Sequence, residues 1–91
     1  MDVVQHSAAM LSMKRIKLVN QRPLVVCGFT DGAIRVYAVS GQGGSSLILK
    51  HESLQVHGFG VNTMDAVTVD QTSFLVITGG DDQHIVCSLY E

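Results

Sequence analysis

The sequence predicts an all-β fold that contains two copies of one antiparallel unit. When the chain is shifted by 51 positions, residues 6–39 align with residues 57–90 without a gap, and seven of the 34 pairs are identical. Each copy consists of short β-branched and apolar runs bounded by Gly, Asp, Asn or Ser, which is typical of strands and turns. No stretch has the period of an amphipathic helix. The identical pairs are His6/His57, Met13/Met64, Leu24/Leu75, Val25/Val76, Gly28/Gly79, Asp31/Asp82 and Ile34/Ile85.

The first copy is predicted to contain a central strand, a turn and two further strands. Residues 24–27 form an apolar run suited to the centre of a sheet, residues 30–32 have turn chemistry, and residues 33–39 alternate as the next strand. The Gly/Ser-rich stretch 40–46 predicts a flexible loop. Residues 47–56 then predict an outer strand.

The second copy repeats this order along the chain. Strands are predicted at residues 61–69, 74–78 and 84–90, with a tight turn at residues 80–83. Antiparallel units of four strands that recur about every 40 to 50 residues are the organisation of β-propeller blades. The sequence therefore predicts a β-propeller fragment of about two four-stranded blades.

The predicted domain boundaries follow the repeat. Residues 1–56 are a first blade with its outer strand after the loop, and residues 57–91 are a second blade that lacks its outer strand. A closed propeller contains about four to eight blades, so we expect a fragment whose other blades lie on either side. Alone, such a fragment would expose sheet edges and apolar faces, and we expect it to be marginally stable and prone to association.

The second copy resembles a known family at the histidine before its first strand and at the aspartate after its second strand. His57-x3-Val61, followed by Leu75-Val76-Ile77-Thr78-Gly79-Gly80-Asp81-Asp82, resembles the signature of the WD-repeat β-propeller family. In that family a histidine, a hydroxyl, a turn aspartate and a tryptophan form a hydrogen-bonded set. The resemblance implies a structural network formed by His57, Thr78, Asp82 and Ser88 in the second copy and by His6, Cys27, Asp31 and Tyr37 in the first.

Departures from the family pattern affect how rigid this network would be. The chain contains no Trp, and Ser88, which stands at the tryptophan position of the second copy, cannot supply an indole N–H. Cys27 is only a weak donor. We therefore expect both blades to be less rigid than a blade with the complete set.

A narrower resemblance lies in the segments around His57 and around the second aspartate turn. His57-x2-Gly60-Val61-Asn62-Thr63-Met64, together with Gly79-Gly80-Asp81-Asp82-Gln83-His84-Ile85, is similar to the family of WD repeat-containing protein six and its fungal and plant relatives. Members of that family are adaptors for a tRNA 2′-O-methyltransferase that modifies the wobble position of the anticodon loop. The resemblance implies an adaptor that binds a methyltransferase, and leaves open whether this segment contacts tRNA. The alternative is a generic WD-repeat scaffold that joins proteins and has no RNA role.

Residues that could indicate catalysis have simpler structural interpretations. Gly80-Asp81-Asp82 is similar to the metal-binding hairpin of polymerases and nucleotide cyclases, but only one of these aspartates recurs in the first copy, which indicates a structural role. Cys27 lies in an apolar run, where a cysteine is typically a small buried side chain. A zinc site would require the four histidines to converge with Cys or carboxylate partners at short spacing, and two of them, His6 and His57, already have a place as repeat landmarks. We therefore predict no catalytic, metal or cofactor site, no small-molecule substrate, and a protein that is not an enzyme.

Charge is distributed unevenly along the chain. Residues 1–50 hold six cations and two acids, a balance of +4, whereas residues 51–91 hold six acids and no Lys or Arg, a balance of −6. One cluster of cations could contact RNA phosphates or an acidic protein surface, although no aromatic residue is interleaved for base stacking. A solvated surface is the simpler interpretation. The cluster consists of Lys14, Arg15, Lys17 and Arg22.

The sequence shows no pattern of export or membrane insertion. Its first residues lack the basic start and apolar core of a signal peptide, and no apolar run approaches the roughly 20 residues of a membrane helix. Cys27 and Cys87 lie in separate runs, outside any CxxC motif. We expect a cytoplasmic protein with reduced thiols and no membrane partner.

Overall fold

Two antiparallel sheets make up the computed structural model, which describes residues 8–40 and 46–91. The first sheet has the strand order β1-β2-β3-β4, and the second has the order β5-β6-β7. The all-β prediction is confirmed, since the described residues contain no helix, and the sheets form the open arrangement of a propeller fragment. The strands are β1 (Met10–Ile16), β2 (Leu24–Phe29), β3 (Ile34–Ser40), β4 (Ser46–Ser53), β5 (Val61–Thr68), β6 (Phe74–Gly80) and β7 (Ile85–Tyr90).

Strands β2 and β6 extend further than predicted, each through a glycine that follows the predicted end. β2 continues through Gly28 to Phe29, and β6 continues through Gly79 to Gly80, because Gly28 pairs with Ile34 and Gly79 with Ile85. The connections to the next strands therefore span residues 30–33 and 81–84, whereas turns were predicted at residues 30–32 and 80–83. The outer strand β4 ends at Ser53 rather than at residue 56. The loop predicted at residues 40–46 falls largely on residues 41–45, which lie outside the described part of the chain.

Strand pairing repeats with the same shift of 51 residues as the sequence. Arg15 pairs with Val25 on β1 and β2, and the equivalent Ala66 pairs with Val76 on β5 and β6. The register shift that marks a β-bulge also repeats, between residues 10 and 12 in the first sheet and between residues 61 and 63 in the second. The repeat seen in the sequence is thus a repeat of hydrogen-bonding register.

The two aspartate turns have the same local geometry. Asp31 accepts a hydrogen bond at 3.0 Å from the amide of Ala33, and Asp82 accepts one at 3.1 Å from the amide of His84. The residue after each aspartate has a positive φ, 82° at Gly32 and 65° at Gln83. An aspartate that accepts from the backbone two residues later stabilises such a turn.

The hydrophobic core lies between the two sheets. One face of the first sheet, here called the front face, packs against one face of the second, here called the inner face. On the inner face, the Phe74 and Tyr90 rings stack with centroids 5.4 Å apart. The front face consists of Ile16, Leu24, Val26, Ile34, Val36 and Ala38, and the inner face carries Met64, Ala66, Phe74, Val76 and Tyr90.

Strand β1 of the first sheet contacts strand β5 of the second. The Ser12 hydroxyl donates to the carbonyl oxygen of Val61 at 2.9 Å, and Lys14 Nζ lies 3.4 Å from Asp65 Oδ1. Gly28 allows close approach, because a Cβ at that position would lie 2.6 Å from Cγ1 of the fully buried Val61. These contacts hold β1 and β2 of the first sheet against β5 of the second.

Candidate functional site

His57 forms the centre of a hydrogen-bonded site between the end of the first sheet and the β6–β7 turn. Its ring is buried, with Nδ1 lying 3.0 Å from Asp82 Oδ1 and Nε2 lying 2.8 Å from Thr78 Oγ1. The hydroxyl and the carboxylate come from the end of β6 and the following turn, so three separated positions meet. The structure thus brings together three of the four second-copy residues of the WD pattern.

Asp82 receives hydrogen bonds from several directions. The Gly58 amide donates to Oδ2 at 2.9 Å, in addition to the bonds from the His57 ring and the His84 amide. Burial alone would raise the pKa of the Asp82 carboxyl, but the Gly58, His57 and His84 hydrogen bonds outweigh it and hold the pKa well below its ordinary value. The carboxylate is therefore held in its ionised form as a structural acceptor.

The partners of His57 determine where the ring carries its hydrogen. An ionised carboxylate can only accept, so Nδ1 must donate to Asp82. In the neutral ring, Nε2 is then an acceptor for the Thr78 hydroxyl. This arrangement satisfies both nitrogens of a buried imidazole and makes the ring a strut between strand and turn.

Two glycines make room for the His57 segment. A Cβ on Gly80 would lie 2.8 Å from His57 Nδ1, and a Cβ on Gly32 would lie only 1.9 Å from the His57 carbonyl oxygen. The His57 amide also donates to the Gly32 carbonyl at 3.2 Å. The turn of the first sheet is therefore packed directly against the residue that anchors the second.

Among the described residues, Asp31 of the first copy contacts an arginine. His6 lies outside the described residues, and the partner seen for Asp31 is Arg35, with Arg35 Nη2 at 3.6 Å from Asp31 Oδ2. Arg35 Nε also donates to Glu52 at 2.7 Å, and the guanidinium lies 4.6 Å from the centroid of the Phe29 ring. Phe29 stands at the position equivalent to Gly80.

Arg35 and Glu52 were missed by sequence reasoning. The signal was present, because Arg35 is the only charged residue in the apolar stretch 33–39. Burial alone would lower the pKa of Arg35, but the hydrogen bond to Glu52 and the nearby Asp31 raise it. The partner could not be identified from spacing, since Glu52 comes from β4 beyond the Gly/Ser-rich stretch.

The remaining members of the predicted network lie within the strands. Cys27 and Tyr37 are both buried on the face of the first sheet opposite the front face, here called the back face, and burial raises the pKa of the Cys27 thiol. Burial also raises the pKa of Tyr37, against a lowering effect of Arg35. Ser88 lies on β7 opposite the fully buried Val76.

The basic cluster is divided by strand geometry. Lys14 and Arg15 are neighbours on β1, so their side chains point to opposite faces, and Lys14 is engaged by Asp65. Lys17 donates to the carbonyl oxygen of Gln21 in the following loop. Arg22 lines a separate groove together with Lys50. The four cations do not form one continuous surface.

Asp81, the other carboxylate of the Gly-Asp-Asp turn, is paired with an amide. The side-chain nitrogen of Asn62 donates to Asp81 Oδ1. Within residues 8–40 and 46–91, no group of three or more His, Cys, Asp or Glu side chains is placed to hold a metal ion. The same residues contain no helix long and apolar enough to cross a membrane.

Comparisons with protein-family models, with curated proteins and with solved structures were made for the whole chain. No family model, no curated protein and no solved structure matches it.

Proposed function

We propose that this chain is a WD-type propeller segment that acts as a protein-binding scaffold, and that its partner is a tRNA 2′-O-methyltransferase acting on the anticodon wobble position. The observation that carries the proposal is the set formed by His57, Asp82 and Thr78, bonded at 3.0 and 2.8 Å. It joins the histidine, the turn aspartate and the hydroxyl that the WD signature implies. The identical strand register of the two sheets supports the same interpretation.

A scaffold role agrees with the chemistry of the described residues. The carboxylate and imidazole that resemble catalytic groups are fully used in holding the turn, and Cys27 is buried with a raised thiol pKa. In contrast, many large apolar side chains of both sheets are exposed, including Ile85, Met13 and Leu89. Contiguous apolar surface marks sites of protein association.

The partner is tested by co-purification and by the modification itself. Affinity-tagged chain expressed in its native cells is expected to retain the tRNA 2′-O-methyltransferase, and removal of the chain is expected to lower wobble 2′-O-methylation measured by mass spectrometry of tRNA digests. His57→Ala should reduce both, because it removes the strut. His84→Ala is the matched control, since its side chain is 75% exposed, and the substitution removes only the ring's 3.5 Å contact with Asp82 while the 3.1 Å backbone bond is retained. Unchanged methylation without the chain contradicts the methyltransferase proposal and leaves the generic scaffold.

A direct RNA contact is a separate part of this proposal. The divided arrangement of Lys14, Arg15, Lys17 and Arg22 favours a few separate phosphate contacts over one continuous binding surface. Neutralising all four should then weaken tRNA retention on filters and reduce the slope of affinity against salt. If both retention and slope stay at the wild-type value, the RNA contact is wrong and the scaffold binds protein alone.

A further inference from the structure

The second sheet exposes an apolar face, here called the open face, on the side away from the core. Ile85 is 83% exposed, Leu89 57% and Val67 52%, and Cys87 is also exposed. Strand pairing places these side chains on one side of the sheet, because directly paired residues of antiparallel strands share a face. The open face consists of Val67, Leu75, Ile77, Ile85, Cys87 and Leu89.

The open face is equivalent, residue by residue, to the buried front face of the first sheet. Subtracting 51 from each position converts the open face into Ile16, Leu24, Val26, Ile34, Val36 and Ala38, which is the whole front face. Ile34 is completely buried against the second sheet, whereas its equivalent Ile85 is the most exposed large apolar residue in the described part of the chain. The second sheet therefore presents the same surface that the first sheet uses for packing.

The opposite side of the molecule presents the matching surface. The back face of the first sheet is equivalent to the inner face of the second, and it carries an apolar groove of about 410 Å³. Met13 is 61% exposed there, although its equivalent Met64 packs against the core. Met10 is 50% exposed, although its equivalent Val61 is completely buried. Arg15 stands at the position of Ala66, and an Arg stem can cover apolar surface while its guanidinium stays in water.

The polar contacts between the sheets would also be repeated. Ser12, which donates to the Val61 carbonyl, is equivalent to Thr63, whose hydroxyl would meet the carbonyl of Met10 in another copy. The ion pair is the stronger indication of partner. Lys14 and Asp65 occupy equivalent positions in the two sheets and carry opposite charges. In the contact between copies, Asp65 of one copy would therefore lie against Lys14 of the next, and the two side chains would again attract each other.

We propose that the open face binds the back face of a second copy of this chain, head to tail, in the geometry with which the front face packs on the inner face. Such a contact uses two different surfaces, so each copy can bind one copy on either side. Repetition leads to a ring or an open chain of copies. This assembly goes beyond the proposed scaffold function and does not depend on the methyltransferase.

The test is sedimentation of the full chain over a range of concentrations, with two variants that each remove one surface. Wild type is expected to form species larger than a dimer. Ile85→Asp and Met13→Asp, both at exposed positions, should each sediment as a monomer. Leu54→Asp makes the same change at a residue that is 64% exposed outside the sheets, and should associate as wild type.

Mixing the two variants distinguishes this contact from every symmetric one. Ile85→Asp keeps its back face and Met13→Asp keeps its open face, so the mixture is expected to form a 1:1 dimer although neither variant associates alone. A monomeric wild type, association that survives either substitution, or a mixture that stays monomeric overturns the proposal. Circular dichroism checks that both variants keep their sheet signal, and Leu89→Asp with Met10→Asp repeats the experiment if either does not. Loss of methyltransferase binding with intact association would affect only the proposed function.

Discussion

The Nδ1 atom of His57 lies 3.0 Å from Oδ1 of Asp82, while the amide of the next residue, Gly58, donates to Oδ2 of the same carboxylate at 2.9 Å. One side chain of the β6–β7 turn thus holds both the ring and the backbone of the segment before β5. Because His57 also contacts the turn of the first sheet through Gly32, this carboxylate links three parts of the chain.

Thr78→Val should destabilise the protein while leaving its shape unchanged. The substitution removes the hydroxyl that lies 2.8 Å from His57 Nε2 and leaves a buried ring nitrogen without this partner. An unsatisfied buried polar group costs about 1–3 kcal/mol. Urea unfolding measures the loss, and Thr68→Val, at an exposed position, should change stability by less than about 0.5 kcal/mol. Equal effects of the two changes would contradict the role of the hydroxyl.

Acid should weaken the protein through Asp82. Since the folded-state pKa of this carboxyl lies below its unfolded value, its contribution is complete above the unfolded value of about 3.9 and is lost as the pH falls below it. Urea midpoints measured between about pH 6 and 2 should therefore fall more steeply for wild type than for Asp82→Asn. Asp81→Asn, whose native side chain contacts Asn62 instead, should keep the wild-type slope. Parallel slopes for wild type and Asp82→Asn would show that the carboxylate is not responsible.

Gly32→Ala should destabilise the protein, whereas Gln83→Gly, at the equivalent position of the second copy, should stabilise it. Gly32 has a φ of 82°, which strains an alanine backbone, and a Cβ there would lie 1.9 Å from the His57 carbonyl oxygen. Alanine would therefore introduce both backbone strain and a steric clash. We expect a loss of at least about 2 kcal/mol. Gln83 has a φ of 65° with a side chain, so glycine should relieve strain and stabilise by up to about 1 kcal/mol. Thermal unfolding of both variants measures the signs, and a neutral Gly32→Ala would be incompatible with the packing described.

Glu52→Gln should destabilise the first sheet. The substitution removes the negative charge that Arg35 Nε contacts at 2.7 Å, although the Gln oxygen can still accept a hydrogen bond, and leaves the more distant Asp31 as the carboxylate beside the buried guanidinium. Because a hydrogen bond between two charged groups is about twice as strong as one between neutral groups, we expect a loss of about 1 kcal/mol. In the Arg35→Met background the same change should have a much smaller effect, which a double-mutant cycle measures. Glu91→Gln, at an exposed residue, is the control, and additive effects of Glu52→Gln and Arg35→Met would contradict the coupling.

Apart from β1, for which no strand was predicted, the sequence predicted the strands of both copies, and the pairing register follows residue identity at positions such as Gly28 and Gly79. The resemblance to the WD-repeat signature implied that His57, Thr78 and Asp82 form one set, and their side chains lie within hydrogen-bonding distance. Strand ends were less accurate, since a glycine such as Gly80 can pair in a ladder or start a turn, and only the partner strand decides between the two.

The anchor of the first sheet could not be predicted in the same way. Its aspartate is equivalent to Asp82, but the choice of Arg35 as partner depends on Phe29 and on Glu52, which come from different strands. The basic cluster was misleading for a similar reason. Neighbours in sequence such as Lys14 and Arg15 point away from each other on a strand, so closeness along the chain does not make one surface.

The extra residue in β1 and its counterpart in β5 affect how the chain avoids mispairing. Each bulge fixes one point at which two residues must oppose one, between Met10 and Ser12 in the first hairpin and between Val61 and Thr63 in the second. If a hairpin paired with its register shifted by one residue, the bulge would fall at a position where the partner strand cannot accommodate it. The apolar side chains of the shifted strand would then be exposed to solvent. Each hairpin therefore contains a feature of its own that favours the correct register over a shifted one.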